Sequence, residues 1–140
     1  MKHLAIEDPR VIVALDFSNG EQARQFVERL EPGSCRLKIG KELFTSEGPE
    51  LVRYFTAKGH KLFLDLKFHD IPNTVANTIR KLEQAGADLI TVHASGGESM
   101  LQRAAASAVS TKILAVTVLT SIDESESQKV YSKHPEEMAG

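Results

Sequence analysis

The sequence at residues 63–74 is Phe-Leu-Asp-Leu-Lys-Phe-His-Asp-Ile-Pro-Asn-Thr, which places two acids and a lysine at the end of an otherwise apolar strand. Because side chains alternate between the two faces of a strand, Asp65 and Lys67 are expected on one face and their apolar neighbours on the other. Asp70 follows the strand, and Pro72 suits the first turn of a helix, where a backbone N–H has no partner within the helix. The stretch predicts charged groups at a strand-to-helix junction, the place where α/β folds keep catalytic residues.

Apolar runs recur along the chain at a nearly constant interval. They begin near Val11, Arg36, Lys61, Asp88 and Lys112, at successive spacings of 25, 25, 27 and 24 residues. The runs at residues 11–15 and 113–119 are nearly continuous, which is typical of parallel strands buried on both faces. This regularity predicts a repeating unit of one strand followed by one helix.

Amphipathic stretches with helical spacing lie between the strands. Their apolar stripes are Ala23, Phe26, Val27 and Leu30; Leu51, Val52 and Phe55; Val75, Ile79 and Leu82; and Met100, Leu101, Ala104, Ala105 and Ala108. Gly59 and Gly86 are predicted to end the second and third of these helices, because glycine readily adopts the left-handed conformation found there. A polar loop is predicted at residues 121–128, followed by a fifth helix that begins at Pro135.

The predicted α/β fold is a (β/α)₈ TIM barrel, truncated here to about five βα units in a single domain over residues 1–140. The repeat is compatible with this fold, and the resemblance of the strand ends to those of a family of barrel enzymes favours it. Eight units at this period need about 200 residues, the lower end for such barrels. An open doubly wound sheet is the alternative, and it requires helices on both faces and a reversal of strand order. The spatial order of the strands distinguishes the two architectures.

Five short motifs follow one another in the order found in a known family. They are Ala14-Leu-Asp16, Leu37-Lys38-Ile-Gly40-Lys-Glu, Asp65-x-Lys67-x-x-Asp70 with Ile-Pro-Asn-Thr behind it, Val92-His93-Ala-Ser95-Gly-Gly, and Val116-Thr-Val-Leu-Thr120-Ser121. Together they resemble the orotidine 5'-phosphate decarboxylase family, whose members form UMP from orotidine 5'-phosphate. The resemblance runs from about Val11 to the end of the chain. It implies a carboxy-lyase of pyrimidine biosynthesis that uses no cofactor and no metal.

The resemblance also implies a catalytic charge network. In this family the counterparts of Lys38, Asp65, Lys67 and Asp70 alternate in charge around the reacting carbon. Asp70 and Thr74 would be contributed across the interface of a homodimer. The active site would therefore be shared between two subunits.

Other positions are implied to bind the small-molecule substrate. Asp16 and Lys38 would contact the ribose hydroxyls, Thr120 and Ser121 would meet the base, and Ile71 would line the same site. The phosphate would be held by loops after strands seven and eight, as is common in this class of barrel. Because those contacts help to organise the reacting centre, a chain without them is expected to be a poor catalyst.

The chemistry of decarboxylation favours a lysine at the reacting centre. Loss of CO₂ from C6 of a pyrimidine leaves an electron pair in an in-plane orbital, outside the π system of the ring. A positioned ammonium can stabilise that charge and then protonate the carbon, so Lys67 suits both steps. Neighbouring carboxylates favour the charged form of an ammonium. Asp65 would also repel the substrate carboxylate and favour departure of CO₂.

Composition narrows the classes of protein that the sequence fits. A formal net charge of −2 without a basic cluster argues against a nucleic-acid-binding or membrane-surface protein. No apolar run approaches the length of a membrane span, and residues 1–8 are too short and polar for a signal peptide. The single Cys35 allows no disulfide within the chain and is expected to be inert, so the cytoplasm is the predicted location.

Some residues also have a purely structural interpretation. Asp65 and Lys67 could form a salt bridge with no catalytic role, and Asp70 could simply start a helix. His93 is expected to bond a neighbouring backbone group rather than a metal. Residues 95–97 fit a plain turn or an anion site at a helix N-terminus. Lys41 and Glu42 are interpreted as an exposed loop pair.

Two other functions are compatible with parts of the pattern. A related phosphosugar decarboxylase or aldolase would share Asp65, Lys67 and Asp70 and would often use Mg²⁺. Against it stand residues 71–74 and the pair Thr120 and Ser121, which resemble the pyrimidine enzyme. A non-catalytic half barrel is the remaining alternative.

Overall fold

The structure is a computed structural model that describes residues 8–132. Strands and helices alternate along this part of the chain. The strands are β1 (Ile12–Ala14), β2 (Arg36–Gly40), β3 (Lys61–Phe68), β4 (Ala87–His93) and β5 (Lys112–Val116). The helices are α1 (Gly20–Val27), α2 (Lys41–Glu47), α3 (Pro49–Ala57), α4 (Pro72–Ala85), α5 (Glu98–Ser107) and α6 (Glu124–Tyr131), with one 3₁₀ turn at Ala94–Gly96.

The five strands form one parallel sheet in the order β1-β2-β3-β4-β5. Each strand pairs with the next one in the chain, and the order never reverses. Right-handed connections between strands in this order place the helices on one side of the sheet. The doubly wound alternative is therefore wrong, and the predicted barrel-type α/β architecture is confirmed.

The core lies between the sheet and its helices. Alternate strand residues face it, and the members with 0% exposure include Leu37, Ile39, Leu62, Leu64, Ile90 and Val92. The helices contribute Phe55, Ile79 and Met100, which are equally buried and belong to the stripes predicted from the sequence. The opposite face of the sheet carries polar side chains near the carboxyl ends of β2 and β3.

Helix α4 begins and ends where the sequence predicts. Pro72 is its first residue, and Gly86 follows its last residue with a φ of 110°. A Cβ at Gly86 would lie only 2.3 Å from Oγ1 of Thr56. Both the left-handed backbone and this close approach require glycine. Gly59, just after α3, also has a positive φ of 89°, as predicted.

Two loop predictions are wrong. Lys41 and Glu42 are exposed, but they form the first turn of α2 rather than a loop. The predicted polar loop at residues 121–128 overlaps α6, because the Asp123 side chain accepts a hydrogen bond of 2.9 Å from the N–H of Glu126 and caps the helix. The helix predicted to begin at Pro135 lies outside the described residues.

The first and last strands differ from the prediction of burial on both faces. Ile12 in β1 and Leu114 in β5 are each 47% exposed. Each of these strands has a single neighbour among the described strands, so part of its apolar surface stays open. Within residues 8–132, no helix is both long enough and apolar enough to cross a membrane.

Candidate active site

Three charged side chains meet at the carboxyl ends of β2 and β3. Nζ of Lys67 donates a hydrogen bond of 2.8 Å to Oδ1 of Asp65, and Nζ of Lys38 lies 3.7 Å from Oδ2 of the same carboxylate. The side chains of Lys38, Asp65 and Lys67 are 29%, 17% and 28% exposed. The cluster is therefore recessed but open to a ligand.

An interruption of β3 shapes this cluster. Leu64 pairs with Ile90 of β4 and Phe68 pairs with Val92, so residues 65–67 all lie opposite the single residue Thr91. Lys67 has a φ of 51°, a left-handed conformation that is unusual for a residue with a side chain. Asp65 and Lys67 do meet as predicted, but a bulge brings them together rather than regular alternation.

Thr91 connects the two catalytic candidates of β3. Its side-chain oxygen accepts a hydrogen bond of 2.9 Å from the backbone N–H of Lys67 and donates one of 3.0 Å to Oδ1 of Asp65. Thr91 is 1% exposed. Thr91 is not among the residues predicted from the sequence, although a polar side chain within the apolar run of β4 is a signal of a buried hydrogen bond.

The environment of Asp65 favours its carboxylate form. Burial alone would raise the pKa of Asp65, but hydrogen bonds from Lys67 and Thr91 and the charges of Lys67 and Lys38 hold it below its ordinary value. The carboxylate is thus ionised at neutral pH. It can keep two cations beside a reacting centre.

Asp70, Ile71 and Thr74 lie between the end of β3 and the first turn of α4. All three are exposed, Ile71 by 68%. The carboxylate of Asp70 accepts a hydrogen bond of 2.6 Å from the N–H of Ile71. The N-cap position of α4 is Ile71, and no side chain caps this helix, so Asp70 does not act as its cap. Among the described residues, no hydrogen bond or ion pair joins Asp70 to Lys67.

The remaining predicted binding residues lie around the same end of the sheet. Asp16 is exposed just after β1 and lines a cavity of about 130 Å³ together with Lys41 and Glu42. Thr120 and Ser121 are exposed in a turn after β5, closed by a hydrogen bond from the N–H of Ile122. These side chains are available to a ligand but do not contact the charged cluster.

His93, at the end of β4, packs beside His69 with ring centroids 5.8 Å apart. Within the described part of the chain, its buried Nδ1 has no hydrogen-bond partner, so the expected bond to a backbone group is wrong for this nitrogen. Burial lowers the pKa of His93, and the neighbouring His69, Lys41 and Lys67 lower it further. No group of three or more His, Cys, Asp or Glu side chains within residues 8–132 could hold a metal ion.

The turn after His93 leads directly into α5. Residues Ala94–Gly96 form a 3₁₀ turn, and Gly97 precedes the helix with a φ of 93°. The segment at residues 95–97 is thus a connection between strand and helix.

The sequence matches a family over residues 9–139, and the family is described as "Orotidine 5'-phosphate decarboxylase / HUMPS family".

The chain belongs to this family.

Family membership agrees with the sequences of individual relatives. A protein of Nitrosospira multiformis named orotidine 5'-phosphate decarboxylase is 51% identical over 127 residues, which cover 89% of this chain and 53% of that protein. A protein of the same name from Photobacterium profundum is 50% identical over 130 residues, covering 85% of this chain and 54% of its own length. The chain thus spans about half the length of the curated relatives it matches.

Solved structures of the orotidine 5'-phosphate decarboxylase family have the same arrangement of strands and helices. Orotidine 5'-phosphate decarboxylase from Lactobacillus acidophilus superposes with a TM-score of 0.81 at 39% identity, covering 90% of this chain and 60% of that one. The enzyme from Thermotoga maritima gives a TM-score of 0.68 at 27% identity, covering 83% and 58%. The five-stranded sheet described here therefore corresponds to roughly half of a barrel of this family.

Proposed function

We propose that this protein decarboxylates orotidine 5'-phosphate to UMP in pyrimidine biosynthesis, acting as a carboxy-lyase. The observation that carries the proposal is the cluster of Lys38, Asp65 and Lys67 at the carboxyl end of a parallel sheet, in a chain that belongs to this family. The relatives that are about 50% identical carry the name of this enzyme. Active sites of (β/α) barrels lie at this end of the strands.

Lys67 would supply both the electrostatic stabilisation and the proton. As the bond from C6 to the carboxylate breaks, CO₂ leaves and the electron pair stays on C6. The ammonium of Lys67 faces that charge and transfers one proton to C6, which yields UMP and a neutral amine. Solvent then returns the proton to the amine. The site is exposed enough for this exchange, since the Lys67 side chain is 28% accessible.

Asp65 and Lys38 would prepare Lys67 for this role. The carboxylate of Asp65 fixes the Lys67 ammonium at 2.8 Å and is itself shared with Lys38. Because these groups are held by the sheet before substrate binds, little reorganisation is needed during the reaction. Asp70 would complete the alternating network from a second subunit.

The rest of the substrate would be bound around this centre. We assign the ribose hydroxyls to Asp16 and Lys38 and the base to Thr120 and Ser121, because Asp16 follows β1, Lys38 lies within β2, and the other two lie in the turn after β5. Ile71 and Thr74 would contact the substrate at the start of α4. Their exposure supports a role in contacts made outside this subunit.

We also propose a homodimer with shared active sites, and the exposure of Asp70 and Ile71 supports it. Asp70 is exposed, and the neighbouring Ile71 is 68% exposed, an unusual degree of exposure for an isoleucine. Burial of this segment against a second subunit would cover Ile71 and bring Asp70 near a substrate. We further propose that residues 1–140 form the N-terminal part of one barrel domain.

The remaining proposals rest on composition and, for the cofactor and metal, on membership of the family. The protein is proposed to work in the cytoplasm, without a cofactor or metal, and on a small molecule rather than on nucleic acid or a membrane. The acidic net charge of −2 supports the exclusion of polyanionic partners.

Turnover in the presence of a chelator tests the proposal. Purified protein is incubated with orotidine 5'-phosphate, with and without EDTA, and UMP is quantified by chromatography. We expect equal formation of UMP in both samples. Loss of activity with EDTA and its recovery with Mg²⁺ would favour the phosphosugar-type relatives. No turnover, alone or with the other part of a barrel supplied from a relative, would favour a non-catalytic half barrel.

A further inference from the structure

Thr91 occupies an unusual position in the sheet. In a regular parallel pair each residue has one neighbour on the next strand, but here residues 65–67 of β3 share Thr91 as their only neighbour on β4. The backbone N–H of Lys67 consequently falls out of the regular ladder. A buried N–H without a partner is strongly destabilising, so the bulge requires a substitute acceptor.

The hydroxyl of Thr91 supplies that acceptor. Its oxygen lies 2.9 Å from the N–H of Lys67 and 3.0 Å from Oδ1 of Asp65, while the carbonyl of Leu64 is more distant at 3.5 Å. A hydroxyl has one hydrogen to donate and can accept as well. The shorter distance directs that hydrogen to Asp65. A single atom thus fixes the backbone of one catalytic candidate and the carboxylate of the other.

We propose that Thr91 is a positioning residue for the decarboxylation. It holds the left-handed backbone of Lys67 and the rotamer of Asp65, so that the ammonium and the carboxylate keep their relative position. The inference rests on the proposed function for its catalytic consequence, but the positioning itself is a property of the folded chain. Thr91 acts through Lys67 and Asp65 and need not touch the substrate.

The physical basis is the unfavourable conformation of Lys67. A φ of 51° is disfavoured for a residue with a Cβ, so it persists only while surrounding contacts hold it. Removing the hydroxyl leaves the N–H of Lys67 without its acceptor and takes away one hydrogen-bond donor from the carboxylate of Asp65. The Lys67 ammonium then loses its fixed direction, and small displacements of a catalytic group slow the chemical step more than they weaken binding.

Three variants separate positioning from ordinary stability. Thr91→Val keeps the shape of the side chain and removes the hydroxyl, whereas Thr91→Ser keeps the hydroxyl. Thr111→Val is the matched control, because Thr111 is also buried and its hydroxyl donates 2.7 Å to the carbonyl of Ala87, far from the charged cluster. The pKa of Asp65 is measured by carbon NMR, and kcat and KM are measured with orotidine 5'-phosphate.

We expect Thr91→Val to raise the pKa of Asp65 and to lower kcat by roughly tenfold or more, with KM changed less than about twofold. Thr91→Ser should stay close to wild type in both measurements, and so should Thr111→Val. Wild-type values in Thr91→Val, or an equal loss in Thr111→Val, would overturn the proposal. If the protein has no decarboxylase activity, the pKa of Asp65 still decides whether Thr91 positions this pair.

A measurement on the unaltered protein covers the case in which Thr91→Val does not fold. The amide of Lys67 should exchange its hydrogen slowly, since within residues 8–132 its one acceptor is the hydroxyl of Thr91. Exchange of this amide at the rate of the exposed amide of Asn73 would refute the proposal without any substitution.

Discussion

The ammonium of Lys67 lies 2.8 Å from Oδ1 of Asp65, although the backbone between these residues departs from a regular strand. Lys38 approaches the other oxygen of the same carboxylate at 3.7 Å. The cluster of Lys38, Asp65 and Lys67 therefore combines two positive charges with one negative charge. Such a centre attracts an anionic substrate and can stabilise negative charge that develops during a reaction.

Replacement of Lys67 tests the central catalytic role proposed for this side chain. Lys67→Ala should lower kcat for orotidine 5'-phosphate by about 10³-fold or more, because it removes both the facing cation and the proton donor. Lys61→Ala is a matched control, since Lys61 lies at the other end of the same strand and pairs with Asp88 at 3.5 Å. Steady-state kinetics and circular dichroism of both variants give the comparison. Retention of more than about a tenth of wild-type kcat in Lys67→Ala would exclude the assignment.

Subunit mixing tests whether Asp70 acts across an interface. Lys67→Ala and Asp70→Ala subunits should each be inactive alone, but a hybrid dimer contains one site with both wild-type residues. With random exchange, about one quarter of wild-type turnover is expected, because half of the dimers are hybrids and each has one intact site. Exchange can be verified by native mass spectrometry with isotope-labelled subunits. Full exchange without regained activity would place Asp70 in the site of its own subunit or in a structural role.

The pKa of Asp65 predicts an acid-dependent contribution to stability. Its folded-state pKa lies below the ordinary value of 3.8, so the unfolded chain takes up the proton first as the pH falls. The stabilisation is therefore complete above about pH 3.8 and disappears as the pH falls through the folded-state pKa. Urea unfolding of wild type and Asp65→Asn at several pH values measures this effect. The difference in unfolding free energy should shrink toward low pH, and a difference independent of pH would contradict the prediction.

Glu83 on α4 is predicted to stabilise the connection into β5. Its Oε1 accepts hydrogen bonds of 3.0, 2.6 and 2.7 Å from the N–H groups of Val109, Ser110 and Thr111. Glu83→Gln should reduce the free energy of unfolding by about 1–2 kcal/mol at neutral pH, because the charged acceptor is lost. Glu28→Gln, an exposed change at the end of α1, should cost less than about 0.5 kcal/mol. Urea denaturation measures both variants.

The stabilisation contributed by Glu83 is expected to depend on pH. The three backbone hydrogen bonds lower the pKa of Glu83 from 4.5 to about 2. A lowered folded-state pKa means that the stabilisation is present above about pH 4.5 and is lost as the pH falls toward 2. The destabilisation by Glu83→Gln should therefore become smaller over this range. An unchanged cost at pH 3 and pH 7 would show that the charge of Glu83 is unimportant.

Local patterns explain which features could be predicted from the sequence. The apolar runs overlap the strands, and most residues of the stripes of α1, α3, α4 and α5 are buried or half-buried, because strand and helix periodicity are properties of neighbouring residues. The stripe of α5 was predicted less well, since Ala105 is exposed and Ala108 lies after the end of the helix. Helix α2 was missed because a short helix with one buried residue has almost no periodic signal. Helix α6 was missed for a related reason, since Ser127 is the one buried residue of this helix.

In the candidate site, some features are determined by the sequence alone and others by the tertiary structure. The sequence by itself determined the strand-helix repeat, the α/β class and the residues Lys38, Asp65 and Lys67 as neighbours at one end of a sheet. Only the tertiary structure decided the strand order, the bulge opposite Thr91 and the left-handed backbone of Lys67. The reason is physical: Thr91 meets Lys67 across 24 residues of chain, and a one-to-one or three-to-one pairing of strands depends on which side chains fill the space between them rather than on either strand alone.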